Sequence, residues 1–476
     1  MTDPALCYLS ATEALRRFRD RSLSPVELTE ALIARAEAVN PAVNAFTEVF
    51  AERAIKAARK AEARYMRRDG RRRRLEGLPL AVKEIHALKG EVTTYASRLY
   101  VGQRDTETLL ITDRALKAGA ILFARSTSPE LGAAVITHSP LWGVTRNPWN
   151  TAFSPGGSGG GGAAALAAGM ATIADGSDYG GSIRVPASCC GVFGFKPPYG
   201  RNPKGPPENL DPFSHYGALT RTVADGALVQ NVMSGPDPRD IMSIPRRVTL
   251  PLAPGDIAGW KVGWSMDLGY VEVDPDVRRN TLAALDAFRD LGCTVEEVDV
   301  GWSDEVYDAF VTHSTAGFAA GMAEDYARGG DLMSSYAAAV VERGLKVTAQ
   351  ELAQSDLVRS EMYGKLGPLL HRYDVLVCPT TAVPSVAADH DPLDRSFTVN
   401  GRPVRGDIGW CLTYPFNMLG QCPVASVPSG FSGDGVPTGI QIVARPQDDV
   451  RVFRAAYAYE RIRPWLDASD RRPALP

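Results

Sequence analysis

Two serines set among glycines stand out in the middle of the sequence. Ser158 lies in the run Pro155-Gly-Gly-Ser-Gly-Gly-Gly-Gly, and Ser182 follows Asp178-Tyr-Gly-Gly. Glycines carry no side chain, so the backbone N–H groups before Ser182 can converge on one point, as an oxyanion hole requires. A helix beginning at Ser182 would add the favourable dipole of its N-terminus. These features are typical of acyl transfer, with Ser182 attacking a carbonyl carbon.

A serine nucleophile needs a base, and the sequence offers an unusual one. None of the six histidines stands in a GxSxG arrangement followed by an acid and a histidine. A lysine can replace histidine when burial lowers its pKa from ~10.4 towards neutrality. Lys83 ends the apolar run Leu78-Pro-Leu-Ala-Val, where it could be buried. An isolated lysine at a strand end is otherwise a surface charge, so its neighbours decide between the two interpretations.

The glycine tract has two further interpretations. Glycine-rich loops also bind phosphates, but no GxxxxGK[ST] motif occurs, and no GxGxxG motif with a distant acid stands between a strand and a helix. A purely structural linker would also explain the tract. The two serines together with Lys83 favour the catalytic interpretation over either alternative.

The elements around these residues predict an α/β fold. Short apolar strands alternate with helices, which indicates a mostly parallel or mixed central sheet. Ser24-Pro-Val-Glu27 is a capping box that starts a helix, and Asn40-Pro41 predicts its end. Aromatic residues in the helical stretch 303–372 indicate either core packing or a lid over a substrate pocket. Strands are predicted at 121–124, 260–265, 293–299, 374–378, 422–428 and 437–443, and helices at 48–67, 106–118, 275–291 and 450–462.

The composition narrows the class of protein. Hydrophobic residues make up 45% of the chain and charged residues 22%, with a net charge of -3, which argues against nucleic acid or an anionic membrane as the main partner. The seven cysteines show no CxxC pair or metal-like cluster, which indicates reduced thiols. No signal peptide and no run of ~18 apolar residues is visible, which predicts a cytoplasmic location.

Taken together, these segments resemble the amidase-signature family over nearly the whole chain. Leu78–Glu84, Gly156–Ser158 and Gly180–Arg184 are similar to its catalytic segments, and the two serines are 24 residues apart, as in the family. The flanks Gly143–Trp149, Thr413–Asn417 and Gly439–Gln441 match as well. The similarity is to bacterial amidases of the cyclic-oligoamide hydrolase and aryl acylamidase type. It implies one catalytic domain, 1–476, with a central mixed twisted sheet covered on both faces by helices. The implied segments are an N-terminal helical segment 1–70, a core 75–225, a helical substrate-pocket insertion of about 303–372, and the rest of the core, 373–476.

The resemblance also assigns roles to residues. Lys83 is implied to be the base, Ser158 a proton relay preceded by a cis peptide bond, and Ser182 the nucleophile that forms an acyl-enzyme. Asp178 and Arg184 are expected to brace the loop. The implied oxyanion hole consists of backbone N–H groups of Tyr179, Gly180, Gly181 and Ser182. The resemblance implies a reaction that needs no metal and no cofactor.

Four positions depart from the family pattern. Gly159 stands where a second serine is usual, which predicts a looser hydrogen-bond network. Glu84 replaces a common aspartate, and Ser177 replaces a usual threonine. Val185 stands where the amidotransferase subunits usually carry glutamine, which disfavours that function.

The resulting prediction is hydrolysis of the C–N bond of small, fairly apolar amides by a monomer or homodimer. The same three residues could cleave carbamates or esters, and an amidotransferase A-type component or a catalytically inactive binding protein remain as alternatives. We expect substrate choice to depend on segments 126–143, 303–360 and 390–410. Candidate pocket residues are His86, Leu131, Gly132, Trp142 and Trp410.

Overall fold

A computed structural model describes residues 4–67 and 72–475 of the protein. Residues 1–3, 68–71 and 476 lie outside the described part. The predicted N-terminal helical segment 1–70 is therefore described only over residues 4–67. The described strands are β1 Phe46–Val49, β2 Pro79–Lys83, β3 Ile121–Ser126, β4 His138–Ser139, β5 Gly143–Val144, β6 Ile173–Asp178, β7 Phe193–Lys196, β8 His215–Thr220, β9 Lys261–Trp264, β10 Thr294–Glu297, β11 Val375–Pro379, β12 Thr398–Val399, β13 Arg402–Pro403, β14 Val424–Phe431 and β15 Pro437–Val443.

Eleven of these strands form one mixed sheet. Their order is β1-β3-β2-β6-β8-β7-β14-β15-β11-β9-β10. Strand β2 runs parallel to β3 and β6, and β9 runs parallel to β10 and β11. The other neighbours are antiparallel. The predicted mixed central sheet is confirmed.

Helices of very different lengths surround the sheet. None of the described helices is both long and apolar enough to cross a lipid bilayer. The helices are α1 Pro4–Cys7, α2 Ala11–Asp20, α3 Pro25–Val43, α4 Ala51–Met66, α5 Leu110–Lys117, α6 Gly160–Ala167, α7 Arg184–Cys190, α8 Val223–Met233, α9 Pro275–Asp290, α10 Glu305–Gly329, α11 Ser335–Gly344, α12 Ala349–Arg372, α13 Pro415–Met418 and α14 Asp449–Ile462.

Strand β11 shows that both faces of the sheet are covered. Successive side chains of a strand point to opposite faces. Val375 and Val377 pack in a cluster with residues of α9 and α14, whereas Leu376 and Cys378 pack in another cluster with residues of α10 and α12. Because all four side chains are buried, the strand is sandwiched between two layers, and the predicted α/β fold with helices on both faces is confirmed.

Helix α3 starts where its sequence predicts but ends later. The N–H of Ser24 donates to Glu27 Oε2 at 2.7 Å, and Ser24 Oγ accepts from the N–H of Val26 at 2.9 Å, so the capping box forms. The predicted end at Asn40-Pro41 is wrong, because the helix continues to Val43. Proline in the last turn removes one hydrogen bond only, and Asn44 in the left-handed conformation then closes the helix.

The sheet brings together strand ends that are far apart in sequence. Since β2 and β6 are parallel neighbours, their carboxyl ends meet at one edge, where parallel sheets generally bind ligands. Lys83 is the last residue of β2, and Asp178 is the last residue of β6. Ser158 and Ser182 each lie two residues before a helix, α6 and α7 respectively. All the predicted catalytic segments therefore reach this edge region.

Candidate active site

The predicted base Lys83 is enclosed by the protein and contacts two hydroxyls. Its side chain is fully buried, and its Nζ lies 2.8 Å from Ser158 Oγ and 3.0 Å from Ser177 Oγ. Its backbone N–H donates to Asp175 Oδ1 at 2.7 Å. The hydroxyl of Thr112 donates to the other oxygen of Asp175 at 2.6 Å. Strand β6 thus fixes the backbone of Lys83 through Asp175 and contacts its amine through Ser177.

Burial changes the protonation of this amine. It lowers the pKa of Lys83 to about 7, although the carboxylates of Asp175 and Asp178 act in the opposite direction. An ordinary lysine is almost wholly charged near neutral pH. Lys83 instead has a large neutral fraction there, and a neutral amine is able to accept a proton.

Ser158 is held by a tightly packed loop. The peptide bond between Gly157 and Ser158 is cis, as the family resemblance implies. A β-carbon at Gly157 would overlap the backbone of Ile136, so only glycine fits there. The close approach of the Ile136 backbone explains why the sequence before Ser158 has a glycine at residue 157.

Ser182 follows a loop shaped by two close contacts. Gly181 has a φ of +132°, and a β-carbon there would overlap the hydroxyl of Thr413. That hydroxyl donates to the carbonyl oxygen of Gly180 at 2.6 Å. In the described part of the chain, the backbone N–H groups of residues 179–182 have no hydrogen-bond acceptor. The loop therefore carries four consecutive unpaired donors next to Ser182.

The two serine segments are joined through their backbones. The N–H of Gly159 donates to the carbonyl oxygen of Ser182 at 3.1 Å. No hydrogen bond between described residues links the hydroxyl of Ser182 to that of Ser158. The side chain of Ser182 is 7% exposed and that of Ser158 is 3% exposed. Ser182 is thus the more accessible of the two serines.

Asp178 and Arg184 form a buried ion pair beneath the loop. Arg184 donates through Nε to Asp178 Oδ2 at 3.0 Å and through Nη2 to Oδ1 at 2.8 Å. It also donates to the carbonyl of Thr413, to Gln441 Oε1 and to Asn417 Oδ1. Burial raises the pKa of Asp178, but the charge of Arg184 and the hydrogen bonds from Arg184 and Asn417 together outweigh burial, and the net pKa is lowered. The pair connects the loop to the C-terminal part of the sheet.

Two of the sequence departures now have a structural explanation. A β-carbon at Gly159 would lie 2.6 Å from the carbonyl oxygen of Ser182, so a serine there requires a backbone shift. The carboxylate of Glu84 accepts hydrogen bonds from the hydroxyl and the N–H of Thr94, at 2.6 and 3.1 Å. The Glu84 side chain therefore makes no hydrogen bond to the predicted base.

Of the five candidate pocket residues, Gly132 lies beside the predicted catalytic residues. A β-carbon at Gly132 would be 3.5 Å from Ser158 Oγ. Leu131, in the left-handed region with a φ of 56°, precedes it. His86 is buried with its Nδ1 3.0 Å from Asp175 Oδ1. His86 thus lies beside the carboxylate that fixes the backbone of Lys83.

The two tryptophans make other contacts. Trp142 Nε1 donates to Thr94 Oγ1 at 3.2 Å, and its side chain is partly buried. Trp410 is fully buried and packs in the cluster that covers one face of β11. Trp142 therefore contacts the Thr94–Glu84 pair rather than the serines, and Trp410 belongs to the core.

The aromatic residues of the helical insertion are of two kinds. Trp302, Tyr307, Phe310 and Tyr336 are buried, as core packing predicts, whereas Phe318 and Tyr326 are only partly buried. Phe310 also contacts the loop before Ser182, because its Cζ would lie 2.9 Å from a β-carbon at Gly180. Core packing and contact with the site are thus combined in one residue of α10.

Several residues that shape the site had no role in the sequence analysis. Asp175 and Ser177 share one face of β6, because residues two apart in a strand point to the same side, but the sequence analysis predicted no strand there. The others became visible only through long-range contacts, although they lie in segments that match the family. These residues are Thr413, Asn417 and Gln441.

A large cavity lies next to the same C-terminal segment. Its volume is about 940 Å³, and Asp407, Gly409 and Tyr414 are among its lining residues. It is lined by neither of the two serines nor by Lys83. Within the described residues, no group of three or more His, Cys, Asp or Glu side chains is arranged to hold a metal ion.

Known proteins similar to this chain have been identified by sequence and by fold. A model of the amidase family matches residues 27–453. An acylamidase of Rhodococcus erythropolis is 35% identical over 486 residues, which cover 100% of this chain and 99% of that protein. A glutamyl-tRNA(Gln) amidotransferase component of Chloroflexus aggregans is 32% identical, with 99% of each chain covered. The crystal structure of a bacterial aryl acylamidase matches with a TM-score of 0.92 and 29% identity, over 98% of this chain and 99% of the other.

The chain belongs to the amidase family, and the resemblance inferred from its motifs is confirmed. It is an amidase-signature enzyme, a hydrolase of carbon–nitrogen bonds.

Proposed function

We propose that this protein hydrolyses small, fairly apolar amides through an acyl-enzyme on Ser182, with Ser158 as proton relay and Lys83 as base. The observation that carries the proposal is the buried contact of 2.8 Å between Lys83 Nζ and Ser158 Oγ. A lysine whose pKa burial lowers to about 7 is a competent general base near neutral pH.

The first half of the reaction transfers the acyl group to the enzyme. The neutral amine of Lys83 takes the proton of Ser158, and Ser158 takes the proton of Ser182. The Ser182 oxygen attacks the carbonyl carbon and forms a tetrahedral intermediate. The carbon–nitrogen bond then breaks, Ser158 delivers a proton to the leaving nitrogen, and Lys83 returns its proton to Ser158, so the amine departs neutral and Lys83 is neutral again.

The loop before Ser182 is proposed to stabilise the negative charge on the intermediate. The unpaired N–H groups of Tyr179, Gly180, Gly181 and Ser182 are available as donors to the oxyanion. Asp178 and Arg184 do not react in this proposal; they hold the loop in place. In the second half, water attacks the acyl-enzyme and gives up a proton to the same relay. The bond between the acyl carbon and Ser182 then breaks, the relay returns the proton to the Ser182 oxygen, and the carboxylic acid leaves.

The test uses the purified full chain and three matched substrates: a p-nitroanilide and a p-nitrophenyl ester of the same carboxylic acid, and an aryl carbamate of similar size. We expect amine release from the anilide, its loss in Ser182→Ala, and a covalent acyl adduct on the Ser182 peptide by mass spectrometry. Ser303→Ala, at an exposed serine, is the matched control. An unreactive folded protein, or an active Ser182→Ala variant, would refute the proposal.

The relative rates of hydrolysis of these three substrates also decide whether amides, carbamates or esters are the preferred substrate class. Carbamates and esters are attacked at the same kind of carbonyl carbon, so the catalytic residues do not discriminate among the three. If the carbamate or the ester is hydrolysed much faster than the anilide, the substrate class changes, but the proposed roles of Lys83, Ser158 and Ser182 stay the same.

A second candidate function is an amidotransferase component, because a relative of that name is 32% identical over nearly the full length. Such a component would act only together with partner proteins. Val185 is fully buried against the loop, its Cγ2 lying 2.9 Å from a β-carbon placed on Gly181. It offers no polar group there, so amide hydrolysis by the isolated chain is the favoured function.

A further inference from the structure

Residue 132 lies against the Ser158 hydroxyl and, as a glycine, adds no side chain there. A β-carbon at Gly132 would lie 3.5 Å from Ser158 Oγ, 4.0 Å from Ser158 Cβ and 3.1 Å from Ile85 Cδ1. These are van der Waals or closer contacts. Any side chain at residue 132 would therefore fill space next to the relay hydroxyl.

The proposed reaction places one part of the substrate near that space. Ser158 must deliver a proton to the leaving nitrogen, and proton transfer requires a donor–acceptor distance of roughly 2.6–3.2 Å. The leaving nitrogen therefore lies against Ser158 Oγ, and its substituent extends into the surroundings of that hydroxyl. Gly132 is part of those surroundings, at van der Waals distance.

The walls near Gly132 are apolar. Leu131, Ala133 and Ala134 pack against a small cluster of hydrophobic residues on α10 and α11 and in the link between them. Leu131 and Ala133 are only partly buried, so they present apolar surface next to Gly132. The members of that cluster are Ala319, Met333, Tyr336, Ala337 and Val341.

We propose that Gly132 sets the width of the leaving-group subsite, and that Leu131 forms an apolar wall of it, so that amides of bulky apolar amines are accepted. This inference rests on the proposed function, because it uses the delivery of a proton from Ser158. The substrate class it names is an N-substituted amide with an aromatic or branched apolar amine.

The test compares Gly132→Ala with the wild-type enzyme on one acyl group joined to ammonia, methylamine and aniline. We expect the ratio of kcat/KM for the anilide to that for the primary amide to fall about tenfold or more, because the added methyl group occupies the amine subsite. A second series, anilides with acyl groups of increasing size, should keep its ratios. An equal loss on all amines, or a loss that follows the acyl group, would overturn the inference.

Two further variants separate a change in the subsite from a general effect of backbone strain: Gly102→Ala and Leu131→Ala. Gly132 has a φ of +70°, so alanine is strained there. Gly102→Ala introduces similar strain at a φ of +89°, where a β-carbon meets nothing within 4 Å, and should leave every ratio unchanged. Leu131→Ala widens the subsite and should shift preference towards larger amines such as naphthylamine; an unchanged preference counts against the inference.

The failure of this inference can be distinguished from failure of the proposed function. If the wild-type protein hydrolyses none of the amides, the proposed function is wrong. If it hydrolyses them and the amine ratios of the variants equal those of the wild type, the proposed function stands and the leaving-group subsite at Gly132 is refuted.

Discussion

Lys83 and Ser158 are 75 residues apart in the sequence, and their side chains meet at 2.8 Å at the buried end of β2. The amine is reached by no solvent, and its other contact is the hydroxyl of Ser177 at 3.0 Å. An ammonium at such a place loses its hydration without gaining a carboxylate partner in direct contact. The neutral amine is therefore favoured, and the consequences can be measured as a function of pH.

The first prediction concerns the pH dependence of catalysis. With the pKa of Lys83 lowered to about 7, kcat/KM on an uncharged anilide should rise with pH up to about 7 and be level above it. The reason is that only the neutral amine accepts a proton. Initial rates between pH 5 and pH 9 measure the midpoint. A midpoint near the ordinary lysine value would contradict the role of Lys83 as a buried base.

The second prediction concerns stability. The pKa of Lys83 is about 7 in the folded chain and ordinary in the unfolded chain, so between these values the unfolded chain binds more protons. The free energy of unfolding should therefore rise with pH above 7, by about 1.4 kcal/mol per pH unit for this group.

This effect is measured by the urea midpoints of the wild-type protein and of Lys83→Met at pH 7 and pH 9. The other titratable groups are the same in both proteins, so the difference between the two pH-dependent changes is due to Lys83. We expect the wild type to gain stability relative to the variant at the higher pH, while the variant has no activity at either. Lys117→Met, at a surface lysine with 75% of its side chain exposed, should show no such gain. A pH-independent difference between wild type and Lys83→Met would mean that burial does not shift the amine.

The third prediction concerns the loop before Ser182. Gly181→Ala should lower kcat by about 10²-fold or more, because its φ of +132° disfavours alanine and the new methyl group would overlap the Thr413 hydroxyl. The oxyanion donors would move as a result. Gly259→Ala is the control, since Gly259 has a φ of +80° and open space around it. Equal activity of the two variants would show that the loop does not act in the reaction.

The fourth prediction concerns the buried ion pair between Asp178 and Arg184 beneath that loop. Arg184→Lys keeps the charge but loses the planar guanidinium that reaches Asp178, Asn417 and Gln441 at once. We expect a loss of about 3 kcal/mol in the free energy of unfolding, typical of a broken buried ion pair. Denaturant titration measures it, with the exposed Arg16→Lys as control. A loss as small as the control's would mean that the pair is dispensable.

Much of the local structure was predictable from the sequence. Strand β15 begins and ends at the predicted residues, and α9, α14 and the strands around them differ from prediction by a few residues at most. These elements carry strong periodic or apolar patterns and clear capping residues. The end of α3 was predicted wrongly because Pro41 falls in the last turn, where its missing N–H matters little.

The sequence by itself determined the family, the fold class and the identity of Lys83, Ser158 and Ser182 as candidates, because these depend on residue types and on spacing along the chain. Only the tertiary structure decided what surrounds them. Asp175 fixes the Lys83 backbone from 92 residues away, and Arg184 binds Asn417 from 233 residues away. Burial and charge at a point in space come from chain segments that are far apart in the sequence. These two quantities set the protonation of Lys83 and the shape of the loop before Ser182.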